Sequence, residues 1–68
     1  MEMREVVSSN VKRIGYEEST KMLYVDYNSG TYAYLNVDKP LYEELTKAES
    51  VGKFLTTNVK GKFEYIKL

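Results

Sequence analysis

The chain has 68 residues, enough for one domain, and contains neither cysteine nor histidine. Without cysteine there are no disulfides, thiolate zinc ligands or thiol nucleophiles, and without histidine the usual acid–base group near neutral pH is missing. Ten basic residues balance ten acidic ones, so the chain lacks the basic surplus with which proteins neutralise duplex phosphates. We therefore predict a single small domain over residues 1–68 and no duplex DNA as partner.

Hydropathy and local charge indicate where the protein is expected to reside and which part of it suits an anion. No apolar run approaches the roughly 20 residues that a membrane-spanning helix needs, and the charged N-terminus has no apolar signal core behind it. We expect a soluble, cytoplasmic protein with no membrane partner. Residues 50–68 carry four lysines against one glutamate, which makes the last third of the chain the expected place for a phosphate.

The first half of the chain is rich in β-forming residues interrupted by polar turns. Strands are predicted at residues 11–16, 22–27 and 31–36, with turns at 17–20 and 28–30. This spacing is typical of a three-strand antiparallel meander.

Helical spacing replaces the strand pattern after residue 37. Asp38 is a natural N-cap and Pro40 is tolerated in a first turn. Ser50 predicts the N-cap of a second helix, which Asn58 or Gly61 can end. Residues 63–66 predict a last strand that returns to the meander. The order β-β-β-α-α-β indicates an α+β fold with its helices on one face of the sheet.

The register of the hairpin at residues 28–30 decides which sheet face carries two tyrosines. A three-residue loop pairs Tyr27 with Thr31 and places Tyr24, Tyr32 and Tyr34 together, opposite the face of Leu23 and Val25. A two-residue loop of Ser29 and Gly30 puts Tyr32 and Tyr34 on the face of Leu23 and Val25 instead. The longer loop is favoured because a left-handed Gly30 after a type I turn is common.

The order of short motifs resembles the KTSC domain, a module found at the C-terminus of some lysyl-tRNA synthetases and in stand-alone bacterial and phage proteins. The matching segments span about residues 7–65: Ser8-Ser9-Asn10-Val11, Ile14-Gly15-Tyr16, Leu23-x-Val25-x-Tyr27, Tyr32-Ala33-Tyr34, Val37, Tyr42-x-x-Leu45-x-x-Ala48, Ser50-x-Gly52-x-Phe54 and Asn58-Val59-Lys60-Gly61-Lys62-Phe63. One departure is that Pro40 stands three positions after Val37 rather than directly after it. The resemblance implies little about activity, since the family has no established general function, and RNA binding is suggested for it largely because of the synthetase context.

Tyrosines form the first candidate ligand-binding site. On one sheet face, Tyr24, Tyr32 and Tyr34 would make a platform for stacking nucleic-acid bases, with Arg13 on the neighbouring strand as a charge partner. Core packing with the hydroxyls at the rim is the ordinary explanation for tyrosine in small sheets. We favour core packing for Tyr16, Tyr27 and Tyr42, and both roles stay open for Tyr32 and Tyr34.

The start of the second helix is the second candidate site. Free N–H groups there, with Ser50, Gly52 and Lys53, suit a phosphate or carboxylate, and Asn58 and Lys60 complete the predicted set. The simpler interpretation is that Ser50 caps its own helix and Gly52 packs against a neighbour. Residues 8–10 are interpreted as a turn rather than as ligand contacts.

No motif indicates catalysis, a metal or a cofactor, since there is no Walker loop, no nucleophile elbow and no metal-ligand spacing. We expect a non-enzymatic module that binds a small nucleotide or a short single-stranded RNA and sequesters it. The alternative is a protein-interaction or homo-oligomerisation module that uses the same tyrosine face.

Overall fold

The computed structural model describes residues 2–68, which form one antiparallel sheet covered on one face by two helices. The five strands are β1 (Met3–Glu5), β2 (Val11–Glu17), β3 (Met22–Tyr27), β4 (Gly30–Tyr34) and β5 (Tyr65–Lys67). The helices are α1 (Lys39–Lys47) and α2 (Val51–Asn58). The strands lie in the sheet in chain order, so β1 and β5 are its two edges. The α+β class, both helices and the returning last strand are confirmed.

An additional edge strand, β1, precedes the predicted meander. Its sequence, Met-Arg-Glu, has no β-forming pattern, and it forms because the backbone of β2 leaves room for it. Met3 pairs with Gly15, and a Cβ added at Gly15 would lie 2.4 Å from the sulfur of Met3. A glycine on β2 therefore permits the close approach of β1.

A β-bulge in β2 aligns the first strand of the predicted meander with the core. The register with β3 shifts between Val11, which pairs with Tyr27, and Arg13, which pairs with Asp26. Because of this extra residue, Val11 and Ile14 both face the helices, although they are three positions apart. Arg13 lies on the opposite, outer face, where it pairs with Asp26 at 2.9 Å.

The core lies between the inner sheet face and the helices. Buried residues of β2 to β4, both helices and the intervening loops form one cluster: Val11, Ile14, Leu23, Val25, Tyr27, Tyr34, Val37, Leu45, Val51, Leu55 and Val59. Asp38 occupies the N-cap of α1 without a side-chain cap hydrogen bond, whereas the Ser50 side chain accepts a hydrogen bond from the N–H of Lys53.

The favoured hairpin register is wrong. β3 and β4 are joined by two residues, Asn28 and Ser29, and Tyr27 pairs with Gly30. This loop differs from both loops considered from the sequence, but its register has the consequence expected of a two-residue loop. Tyr32 lies opposite Val25 and Tyr34 lies opposite Leu23, on the inner face. Apolar packing on that face outweighs the local turn preference.

Gly30 carries the backbone strain of this hairpin, with a φ of 145° that side-chain-bearing residues rarely adopt. We expect Gly30→Ala to lower the free energy of unfolding by about 1–3 kcal/mol. The space is open enough for a methyl group, since the nearest atom, Lys67 Cε, would be 3.5 Å away. Urea unfolding measures the change, with Ser29→Ala in the same loop as control. Equal stability of the two variants would show that Gly30 is unstrained.

Candidate ligand-binding pocket

Four tyrosines meet at the end of the inner sheet face where the β3–β4 hairpin turns. Tyr27, Tyr32 and Tyr34 reach it through the register of β3 and β4, and Tyr65 reaches it because β5 pairs it with Tyr34. The Tyr32 ring centroid lies 5.4 Å from that of Tyr27, edge to face, and 5.3 Å from that of Tyr65. These spacings are typical of packed aromatic clusters.

Two of these tyrosines form a hydrogen-bonded floor. Tyr27 and Tyr34 are 7% and 3% exposed, and their hydroxyl oxygens lie 2.9 Å apart. Burial raises the pKa of Tyr27 and of Tyr34 above the ordinary value, and the hydrogen bond between the two hydroxyls adds to the increase at Tyr27. At neutral pH both phenols are therefore uncharged hydrogen-bonding groups.

Lysine ammonium groups lie over two of the rings. The Nζ of Lys60, just after α2, is 4.7 Å from the centroid of Tyr27, and the Nζ of Lys67, on β5, is 5.8 Å from that of Tyr32. Both distances are within the range of cation–π attraction. The cluster thus combines aromatic surface with positive charge.

These groups surround a cavity of about 660 Å³. Its described lining residues are Asn10, Tyr27, Asn28, Ser29, Tyr32, Tyr34, Lys60, Gly61 and Tyr65, none of them acidic. Asn28 holds the hairpin wall in place, because its side-chain amide donates to the carbonyl of Ser9 at 2.7 Å. A volume of this order is typical of pockets that bind small organic ligands.

The structure brings together only part of the predicted tyrosine site. Tyr32 and Tyr34 share a face, but Tyr24 lies opposite Gly15 and Ala33 on the outer face, so the predicted three-tyrosine platform is wrong. Arg13 is also on the outer face, where its guanidinium lowers the pKa of Asp26 by hydrogen bonding to the carboxylate. The register error explains the outcome, because it moves Tyr32 and Tyr34 to the inner face and leaves Tyr24 and Arg13 on the outer one.

At the start of α2 the structure agrees with the simpler interpretation, in which Ser50 caps its own helix and Gly52 packs against a neighbour. The Ser50 hydroxyl accepts from the N–H of Lys53 at 3.2 Å, which caps the helix. A Cβ on Gly52 would come within 3.3 Å of the Ser8 hydroxyl, so Gly52 packs against the loop before β2. Ser50, Gly52 and Lys53 are absent from the described lining of the tyrosine cavity. The side chain of Asn58 donates to the carbonyl of Phe54 within its own helix.

Sequence reasoning missed several of the lining residues. Tyr27 was interpreted as core alone, Tyr65 only as part of a strand, and Asn10 as a turn residue; each also lines the cavity. Lys60, which was part of the predicted set, also lines the cavity, where its ammonium group lies over Tyr27 rather than at the start of α2. Two assumptions would have predicted the cluster of four tyrosines from the sequence. One is a two-residue hairpin loop, and the other is that the last strand pairs Tyr65 with Tyr34.

Comparison with known proteins identifies the family. The family model of the KTSC domain matches residues 7–63. The chain belongs to the KTSC domain family. Its structure is similar to the crystal structure of a KTSC domain protein from Yersinia pestis, with a TM-score of 0.96 and 34% sequence identity over 98% of this chain and 96% of that one. The predicted resemblance is confirmed.

Sequence relatives occur in two contexts. A lysine–tRNA ligase of Trichormus variabilis is 38% identical over 61 residues, which are 88% of this chain and 11% of the ligase. A protein of Tsukamurella paurometabola is 33% identical over 67 residues, 97% of this chain and 100% of that protein. The KTSC chain thus spans about a ninth of the ligase but the whole of the shorter relative.

Two negative findings apply to residues 2–68. No helix in this range is long and apolar enough to cross a membrane. Nor does the described part of the chain contain a group of three or more acidic, histidine or cysteine side chains placed to hold a metal ion.

Alkaline titration tests the buried phenol pair. Because folding raises the pKa of Tyr27 and Tyr34, the neutral phenols stabilise the fold fully below the unfolded value near 10, and this stability is lost as the pH rises beyond it. We expect these two tyrosines of the folded protein to ionise only at a pH above that of free tyrosine, as measured by phenolate absorbance. In Tyr27→Phe the free energy of unfolding should fall less steeply at alkaline pH, whereas the control Tyr42→Phe should behave as the unaltered protein does. Ionisation of Tyr27 and Tyr34 in the folded protein at the pH of free tyrosine would contradict the assignment.

Proposed function

We propose that the tyrosine pocket binds a nucleotide, supplied either as a small free nucleotide or as a unit of a short single-stranded RNA. The main support for this proposal is the composition of the cavity. Four tyrosine rings and the ammonium of Lys60 meet there, and no described lining residue is acidic. An aromatic surface with positive charge at its rim suits a ligand that joins a flat ring to a phosphate.

The four tyrosines differ in the exposed fraction of their side chains, and we assign them two roles on this basis. Tyr65 is 57% exposed and Tyr32 is half-buried, so their rings are the surfaces on which a base stacks. Tyr27 and Tyr34 lie beneath them with only their edges open, and their paired hydroxyls offer neutral hydrogen-bonding groups to the edge of the base. In this arrangement the upper rings supply affinity and the floor selects the shape of the base.

Charge limits the number of phosphates. Lys60 lines the cavity, and Lys67 reaches the ring of Tyr32 from β5, so one or two phosphates find cationic partners. The rest of the chain adds no basic surplus, because its net charge is zero. The proposed ligand is accordingly a small nucleotide or a short strand rather than a long one.

The comparisons support an RNA-linked setting. Two relatives are lysine–tRNA ligases, enzymes that act on an RNA, although the KTSC segment is only 11% of each. Both contain a stretch resembling almost the whole of this chain. We propose that the domain holds its ligand without converting it and so sequesters it, and that it does so in the cytoplasm, where tRNA and nucleotides occur.

Thermal-shift and calorimetric titration against mononucleotides, cyclic nucleotides and short RNAs test this proposal. We expect Tyr65→Ala to weaken binding by about 1–3 kcal/mol through loss of stacking, and Lys60→Ala to weaken it by removing the phosphate partner. The matched controls are Tyr24→Ala on the outer face and Lys53→Ala at the start of α2, and both should bind as the unaltered protein does.

The outcomes separate the alternatives. Binding by mononucleotides identifies a free nucleotide as ligand, and binding by oligomers alone identifies RNA. If Lys53→Ala and Lys60→Ala weaken binding equally, the start of α2 is part of the binding site. No thermal shift with any ligand, together with self-association that Tyr65→Ala abolishes, would instead assign the tyrosine surface to protein interaction.

A further inference from the structure

The outer edge of β5 carries free backbone groups in a defined pattern. The N–H of Leu68 donates to the carbonyl of Thr31, and the N–H of Leu35 donates to the carbonyl of Glu64, each at 2.8 Å. With Ala33 paired to Ile66, these bonds direct the backbones of alternate β5 residues toward β4. The N–H and C=O groups of Tyr65 and Lys67, which lie between them, therefore point away from the sheet.

The side chains of the β5 segment are unusually apolar for an exposed edge. Of the four exposed large hydrophobic residues in the described chain, three belong to this segment: Tyr65 at 57%, Ile66 at 49% and Leu68 at 67%. The opposite edge, β1, has the sequence Met-Arg-Glu and is protected by charge. The two edges of the sheet are thus not equivalent.

We propose that two copies of this chain associate by antiparallel pairing of their β5 edges about a two-fold axis at Ile66. Two-fold symmetry requires that Tyr65 face Lys67 of the partner subunit, and that Lys67 face Tyr65 of the partner subunit. These are the residues whose backbone groups point outward, so the pairing forms four hydrogen bonds. It converts two five-stranded sheets into one continuous sheet.

Side-chain complementarity distinguishes a second copy from an unrelated strand. On the outer face Ile66 meets Ile66 of the partner subunit, which covers an apolar surface that is half exposed in the single chain. On the inner face the exposed ring of Tyr65 meets Lys67 of the partner subunit, a cation–π pair of the kind that Lys67 already makes with Tyr32. Each copy thereby contributes a lysine to the rim of the other's pocket.

Lys67 does not protect the edge in the way that edge lysines commonly do. Its ammonium group turns toward the Tyr32 ring, 5.8 Å from the centroid, and not outward along the plane of the sheet. The paired strands are short, so the interface is small and we expect dimerisation to depend on protein concentration. The dimer does not depend on ligand binding, and it stands or falls independently of the proposed nucleotide function.

Sedimentation or light scattering over a range of protein concentrations tests the proposal. Lys67→Pro removes an outward N–H and leaves the hydrogen bonds to β4 intact, whereas Lys67→Ala keeps that N–H. We expect Lys67→Pro to raise the dissociation constant of the dimer at least about tenfold relative to Lys67→Ala. Circular dichroism verifies that both variants are folded.

A charge substitution gives an independent readout. Ile66→Asp places two carboxylates opposite each other across the two-fold axis and should abolish the dimer. Val7→Asp is the matched control, because Val7 is a fully exposed apolar residue outside β5 and its change should leave the dimer intact. A chain that stays monomeric at every concentration, or a dimer unaffected by both Lys67→Pro and Ile66→Asp, overturns the proposal.

Discussion

The pairing of Tyr27 with Gly30 decides which side chains of the central hairpin point inward and which point outward, and the pocket depends on it. Because side chains alternate along a strand, a shift of one residue would move Tyr32 and Tyr34 to the outer face. The observed register places Thr31 beside Asp26 on the outer face, where its hydroxyl donates to the carboxylate at 3.1 Å. Apolar and polar side chains thus favour the same pairing.

Hydrogen bonding makes the inward tyrosines compatible with a core. A buried hydroxyl without a partner destabilises a fold, and here Tyr27 and Tyr34 satisfy each other. Tyr16 uses a different partner, the carbonyl of Val37, while its ring stacks on Tyr42. The phenols that line the pocket are therefore part of the same packing that holds the sheet to its helices, and this packing fixes the positions of the lining groups.

Local chemistry made much of the fold predictable, whereas long-range packing did not. The second helix follows from Ser50, whose hydroxyl caps it as the sequence suggests, and the left-handed Gly61 lies shortly after its end at Asn58. The hairpin register could not be predicted from turn preference, since loops of different length fit the residues and burial decides among them. β1 was missed because Met3 joins the sheet through space left at Gly15, and no feature of its own sequence predicts a strand.

Because the strands follow chain order across the sheet, the first and the last strand are about 19 Å apart at ordinary strand spacing. Any polypeptide joined before β1 enters the domain on the side remote from Tyr65 and the cavity. A domain attached through its N-terminal side therefore leaves the tyrosine pocket uncovered. This arrangement suits a module that is transplanted between contexts without remodelling.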